Sequence, residues 1–96
     1  SYVIRLIGID EIKQNKLEIN LSPNPNKGII NLSLNNINVI GDLIIYDING
    51  RIVKEIKKLE LKEGNNWIDI NPLNSGSYML VFKTNKNVFS KLIIKE

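Results

Sequence analysis

The 96-residue chain contains neither histidine nor cysteine. Histidine is the commonest general base near neutral pH, and the two residues together supply most zinc and copper ligands. Their absence also excludes Ser-His and Cys-His nucleophiles and disulfide bonds. We therefore expect a protein that is not an enzyme and that has no cofactor, no metal site and no catalytic residue. Without cysteine, the redox state of its compartment stays open.

Carboxylates remain as a possible route to catalysis. Asp42 and Asp47 are five residues apart, so a shared strand would point them to opposite faces. Glu63 and Asp69 border another predicted strand, and solvated acids are the expected role of all four. The segment 47–50 resembles the start of a calcium loop, but it lacks the glycine at the sixth position and the glutamate at the twelfth. A turn between strands is the preferred interpretation, and incidental calcium binding stays open.

Long apolar runs are also missing. Lys, Asn or Asp interrupts each hydrophobic stretch well before the roughly 20 residues that cross a bilayer, so we expect no membrane insertion. Hydrophobic residues make up 43% of the chain and charged residues 24%, which is typical of one globular domain.

The formal net charge is +3. Lys54, Lys57 and Lys58 form a basic cluster, but Glu55 and Glu60 interleave with it, and no RNA-binding aromatic motif accompanies it. A solvated strand edge, which lysine protects from aggregation, explains the cluster better. We expect no nucleic-acid partner.

The chain begins with Ser1, and no basic segment followed by an apolar one indicates a signal peptide. This fits a piece of a longer protein. Residues 1–16 combine an apolar start with a polar run, which predicts a linker or the end of a preceding cargo region. The pattern changes at Leu17, so residues 17–96 are predicted to form the domain.

Short β-rich runs separated by Asn, Gly and Pro fill this domain. Seven runs are predicted as strands: Leu17 to Leu21, Ile29 to Leu34, Leu43 to Ile48, Arg51 to Ile56, Asn66 to Ile70, Tyr78 to Thr84, and Val88 to Lys95. Their number and spacing predict an all-β, immunoglobulin-like Greek-key sandwich of antiparallel strands. Alternation predicts buried side chains at Ile30, Leu32, Leu34, Ile68 and Ile70.

Turn residues separate these runs. Asn49-Gly50 predicts a hairpin with a type I′ turn, because both residues accept positive φ. Asn85-Lys86-Asn87 predicts a second hairpin loop. Pro23-Asn24-Pro25 must leave the sheet, since its prolines cannot donate ladder hydrogen bonds, and Gly28 lets the chain return.

Three aromatic residues, Tyr46, Trp67 and Tyr78, fall in predicted strands beside aliphatic residues. Such residues can stack on sugars or bases, but aromatic side chains also dominate sandwich cores. We expect all three to pack in the core.

Four segments, in order, resemble one family. They are Pro23-Asn24-Pro25 with Gly28, then Tyr46-Asp47-Ile48-Asn49-Gly50-Arg51, then Leu73-Asn74-Ser75-Gly76-Ser77-Tyr78-Met79-Leu80, and finally Lys91-Leu92-Ile93-Ile94-Lys95. The order and spacing are similar to the type IX sorting domain, found at the C-termini of proteins exported by Bacteroidota. Ser22, where the family often has an aromatic residue, and the final Glu96 depart from the pattern.

The resemblance implies a secretion signal that follows a cargo domain and directs it across the outer membrane to the cell surface or the medium. Its implied partners are the type IX translocon, an outer-membrane shuttle protein and a sortase-like peptidase. That peptidase would cut upstream of the sandwich, in the stretch from Gly8 to Lys16, where an exposed backbone is expected.

The last run offers a recognition hypothesis. Val88 to Lys95 is expected at a sheet edge, where strand addition or a groove could engage Leu92, Ile93 and Ile94 while Lys91 and Lys95 steer the encounter. Truncation from Lys91 is expected to abolish secretion and leave the fold largely intact.

The alternative function is a cell-surface binding module for carbohydrate or protein on the same fold, since fold does not determine function. A surface without a pocket and with Trp67 buried would favour the secretion signal, whereas an exposed aromatic platform would favour the binding module.

Overall fold

The computed structural model describes residues 17–96. The expected end of a cargo region, residues 1–16, lies outside them. The seven strands are β1 (Ile19–Ser22), β2 (Ile29–Leu34), β3 (Val39–Tyr46), β4 (Ile52–Leu61), β5 (Trp67–Asp69), β6 (Gly76–Lys83) and β7 (Val88–Lys95). This confirms the all-β class and the seven strands, and β2 and β7 have the predicted bounds. No helix within the described part is long and apolar enough to cross a membrane.

The strands form two sheets. One has three strands in the order β1-β2-β5, and the other has four in the order β4-β3-β6-β7. All neighbouring strands are antiparallel. The chain passes between the sheets after β2, β4 and β5, and the result is an immunoglobulin-like sandwich. The predicted basic edge is confirmed, because β4 is an outer strand of its sheet.

The core lies between the two sheets. The three-stranded sheet contributes Ile30 and Leu32, and both are fully buried. The four-stranded sheet contributes residues that are equally inaccessible to solvent, namely Leu43, Ile45, Leu80, Phe82 and Ile93. The predicted burial of Leu34, Ile68 and Ile70 is also confirmed. Burying one such aliphatic side chain stabilises the fold by about 1.5–3 kcal/mol.

The predicted hairpin between β3 and β4 is present, but its turn is not type I′. Gly50 has a φ of +84°, and Asn49 has no positive φ. The Gly50 N–H donates to the Asp47 carbonyl at 3.0 Å, and the Asp47 N–H donates to the Arg51 carbonyl at 2.8 Å. This is a three-residue loop in which only the glycine is left-handed. The second predicted loop, between β6 and β7, is confirmed.

The expectation that all three aromatic residues pack in the core is wrong for Trp67. Tyr78 is buried and Tyr46 is half-buried, but the Trp67 side chain is 64% exposed. The reason is the alternation of β5. Because Ile68 and Ile70 point into the core, the residue before them must point to solvent.

Candidate functional site at the C-terminal strand

Strand β7 lies at the outer edge of the four-stranded sheet, as predicted. It pairs with β6 along its whole length, from Gly76 opposite Lys95 to Lys83 opposite Val88. Side chains therefore alternate between the core and the outer face. Ile93 is fully buried, whereas Leu92 is 52% exposed and Ile94 is 39% exposed.

The structure thus separates the five residues that sequence predicts for recognition. Lys91, Leu92 and Ile94 are exposed, and Lys95 is half-buried. Ile93 packs in the hydrophobic core, so a partner of the folded domain cannot contact its side chain.

The free edge of β7 is covered in part by the side chain of Asn24. Its Nδ2 donates to the Leu92 carbonyl at 2.9 Å, and its Oδ1 accepts from the Ile94 N–H at 2.9 Å. A side-chain amide carries the same donor and acceptor as a peptide group. Asn24 therefore takes the place of a neighbouring strand at this point of the edge.

Asn26 continues the same interaction two residues later. Its N–H donates to the Ile94 carbonyl at 2.8 Å, and its carbonyl accepts from the Glu96 N–H at 2.7 Å. Its side chain is buried, where Nδ2 donates to the Ile94 carbonyl at 3.0 Å and Oδ1 accepts from the Gly28 N–H at 3.0 Å. We call residues 23–26 the asparagine clamp.

Gly28 returns the chain from the clamp to the three-stranded sheet. Its φ is +128°, and a Cβ at this position would collide with the Asn71 side chain. Its carbonyl accepts from the Ile70 N–H at 2.7 Å. The clamp segment therefore links the two sheets of the sandwich.

Two further motif residues, Gly76 and Tyr78, lie on β6 and contact β7. The Tyr78 hydroxyl donates to the Asn74 carbonyl at 2.6 Å, which is the tyrosine corner of immunoglobulin-like folds, and Tyr78 pairs with Ile93 in the sheet. Gly76, two residues earlier, begins β6 opposite Lys95. These residues position β7 and carry no reactive group of their own.

The Asp47 carboxylate holds the β3–β4 loop. Oδ1 accepts from the N–H groups of Asn49 and Arg51 at 2.8 and 3.0 Å, and Oδ2 accepts from Arg51 Nε at 3.0 Å. The hydrogen bond from the Arg51 backbone is the main cause that holds the pKa of Asp47 below its ordinary value of 3.8. Because the carboxylate is used within the turn, the geometry favours the turn interpretation over a calcium loop.

The family model for the secretion system C-terminal sorting domain matches residues 20–96. The chain belongs to this family. The match runs from β1 through the clamp to the end of β7. The sorting domain is a type IX secretion signal, and this implies export to the cell surface or beyond the cell. Its family consists of non-catalytic secretion tags. None of the curated proteins compared with the chain matches it.

The clamp covers only one half of the exposed edge of the sorting domain. Its contacts show that Leu92 and Ile94 direct backbone groups away from β6, and the period of two extends this orientation to Ser90 and Val88. The outward backbone groups of Ser90 and Val88 have no hydrogen-bond partner within residues 17–96. Strand addition therefore has room only toward the start of β7.

The contacts of β7 lead us to expect a different outcome from the predicted truncation at Lys91, which the sequence suggested would leave the fold largely intact. Residues 91–95 supply five of the eight register pairs between β6 and β7. They also include the buried Ile93 and the clamp contacts. The truncated sorting domain is expected to unfold, so loss of export after truncation would not identify a recognition surface.

Sequence reasoning missed Asn26 and the role of Asn24. A signal was present in the sequence, because both asparagines alternate with prolines, which have no N–H to donate. Side-chain amides are the obvious replacement donors in such a segment. The strand that they contact is about 70 residues away, and only the structure shows it.

Beside the clamp lies a shallow, open depression. It is lined by Pro23, Pro25, Asn26, Lys27, Ile29 and Glu96. Its open shape differs from the enclosed clefts that usually bind small molecules.

Proposed function

We propose that the outer surface of β7 is the part of the sorting domain that the type IX translocon recognises, through its outer-membrane shuttle protein. It consists of Leu92 and Ile94, exposed on the outer face, together with Lys91 and Lys95, which leave the strand edge on the side of Ile93. The observation that carries the proposal is the asparagine clamp, which holds the end of β7 in a fixed, extended form.

A fixed strand favours binding for an energetic reason. Fixing the backbone of one flexible residue on binding costs about 1–2 kcal/mol. The clamp and β6 have already ordered the backbone that carries Leu92 and Ile94. A partner can therefore bury these two apolar side chains without first ordering that backbone.

The chemistry of the surface suits such a partner. Leu92 and Ile94 lie on the same face, two residues apart, and the neighbouring lysines at 91 and 95 extend from the opposite face of the edge strand. Apolar contact supplies affinity, and the lysines attract an acidic rim and accelerate the encounter. The open edge around Ser90 could add backbone hydrogen bonds by strand addition.

The same proposal assigns residues 1–16 to a linker or to the end of a preceding cargo region that is exported. A sortase-like peptidase would cut between Gly8 and Lys16, after the domain has reached the surface. Protease sites are typically exposed loops and termini, and the polar composition of 10–16 fits one. Cargo would then remain at the cell surface or enter the medium.

The test is export of a fluorescent reporter that carries a signal peptide and is followed by this chain, in a host with a type IX system. Leu92→Ser is compared with Ile52→Ser. The two residues are matched, since they are 52% and 54% exposed and lie on the opposite edge strands of one sheet. Lys91→Glu is likewise compared with Lys57→Glu.

We expect the β7 variants to leave the reporter in the periplasm, while the β4 variants export it normally. Thermal unfolding of each purified domain shows whether the variants remain folded. Equal export by Leu92→Ser, Lys91→Glu and their controls, with all four domains folded, would refute recognition through β7.

A further inference from the structure

Trp67 is the only tryptophan in the chain, and most of its side chain is in contact with solvent. It lies on β5, at one edge of the three-stranded sheet, and points away from the core. Tryptophan is highly buried on average and is enriched at interfaces, so an exposed tryptophan is a candidate contact for a ligand. The recognition surface proposed on β7 belongs to the other sheet and does not include Trp67.

The surface around Trp67 combines amide and hydroxyl groups with the exposed side chain of Ile29, the register partner of Asp69. Asn31 is the register partner of Trp67 on β2, and Ser22 is the partner of Asn31 on β1. Asp69 lies two residues further along β5 and therefore on the same face. We call the outward side of this sheet around Trp67 the amide face.

Hydrogen bonds hold part of the amide face in place. Asn31 Nδ2 donates to Asn65 Oδ1 at 2.9 Å, and Asn31 Oδ1 accepts from the Asn66 N–H at 2.9 Å. Asp69 Oδ1 accepts from the Asn71 N–H at 2.9 Å. These bonds fix the side chains and leave Asn65 Nδ2 and Asp69 Oδ2 without a partner within residues 17–96.

Charge distinguishes between the ligands that an exposed tryptophan can bind. The outward positions of β1, β2 and β5 include no lysine or arginine, and Asp69 is their one charged residue. Nucleic acids need cations that neutralise phosphate, so this face does not suit them. The exposed groups suit an uncharged ligand with many hydroxyls.

We propose that the amide face binds a neutral saccharide, with one pyranose ring stacked on Trp67. The face of an aromatic ring is electronegative, and the C–H bonds on one side of a sugar ring present weakly positive hydrogens to it. Sugar hydroxyls then accept from Asn65 Nδ2 and donate to Asp69 Oδ2. The sequence offered carbohydrate binding as an alternative to sorting, but here it accompanies sorting, since the two surfaces lie on opposite sheets and can be occupied together.

The single tryptophan provides the assay. The 96-residue chain is titrated with neutral hexaoses of α-1,4-glucose, β-1,4-glucose, β-1,4-xylose and β-1,4-mannose, while tryptophan fluorescence is recorded. Trp67→Ala removes this signal, so saturation-transfer NMR measures binding by all variants. Asn65→Ala tests the polar contact, and Met79→Ala, an exposed residue on the other sheet, serves as the control.

We expect saturable binding of at least one hexaose that persists in high salt. Trp67→Ala is expected to weaken it about tenfold or more, Asn65→Ala by a smaller factor, and Met79→Ala not at all. Three results would overturn the proposal: no binding of any of the four sugars at about 10 mM, binding that survives Trp67→Ala, or binding that is lost in high salt. Export of the Trp67→Ala reporter is measured in parallel, so that failure of sorting is distinguished from failure of sugar binding.

Discussion

Replacing Asn24 by alanine tests the asparagine clamp most directly. The substitution removes two hydrogen bonds, one to the Leu92 carbonyl and one from the Ile94 N–H. A typical hydrogen bond contributes about 0.5–1.5 kcal/mol to stability, so the pair could contribute about 1–3 kcal/mol. Water can reach the freed groups, because both bonds are exposed, and we therefore expect a loss of about 1–2 kcal/mol. For a domain of this size the melting temperature should fall by roughly 4–15 °C.

Asn85→Ala is the matched control, because Asn85 is also exposed and its side chain makes no hydrogen bond within residues 17–96. Calorimetry gives the melting temperatures, and amide hydrogen exchange reports on the Ile94 N–H. The Asn24 variant should exchange faster at Ile94 and melt lower, and the control should do neither. Equal melting temperatures and unchanged exchange at Ile94 would show that the clamp does not stabilise the domain.

Three further predictions concern the core, the tyrosine corner and pH. Ile93→Ala should lower the free energy of unfolding, measured in urea, by about 2–5 kcal/mol, because it leaves a cavity in the core. Leu92→Ala should lower it much less, and equal losses for the two variants would place Ile93 outside the core. Tyr78→Phe should lower the free energy of unfolding by about 1 kcal/mol, because it removes one hydrogen bond. An unchanged free energy would show that this bond does not stabilise the domain. Because folding lowers the pKa of Asp47, its contribution to stability is complete above 3.8 and is lost as the pH falls through the lowered value. Asp47→Asn should therefore flatten the acid side of the stability curve, and an unchanged acid limb would contradict the role of the Arg51 hydrogen bonds.

The strands that sequence predicted best are those with the clearest pattern. In β2, apolar and polar residues alternate without interruption from Ile30 to Leu34, and both ends of the strand were placed correctly. β4 was predicted to end at Ile56 but continues to Leu61. The difference arises at Lys58, which has a φ of +55° and whose N–H donates to Asp42 Oδ1. A β-bulge at this point shifts the register and interrupts the alternation, but the strand continues beyond it.

The candidate site was predicted only in part, for a similar reason. Alternation along β7 predicts that Ile93 points to one face of the sheet and that Leu92 and Ile94 point to the other. Because all three residues are aliphatic, the sequence does not show which of the two faces is buried. Trp67 was assigned to the core from its type, although its neighbours Ile68 and Ile70 already predicted the opposite side. Periodicity was the better guide wherever residue type and periodicity disagreed.

The contacts of the asparagine clamp also determine when the sandwich can close. They join residues separated by 68 to 70 positions, so nearly the whole domain must be present before they form. Such distant pairings fold slowly, and closure waits for the last strand. A chain that ends before β7 would lack both the ordered strand edge and the exposed side chains of Leu92 and Ile94. The surface formed by Leu92 and Ile94 is therefore complete only after β7 has paired with β6 and with the clamp.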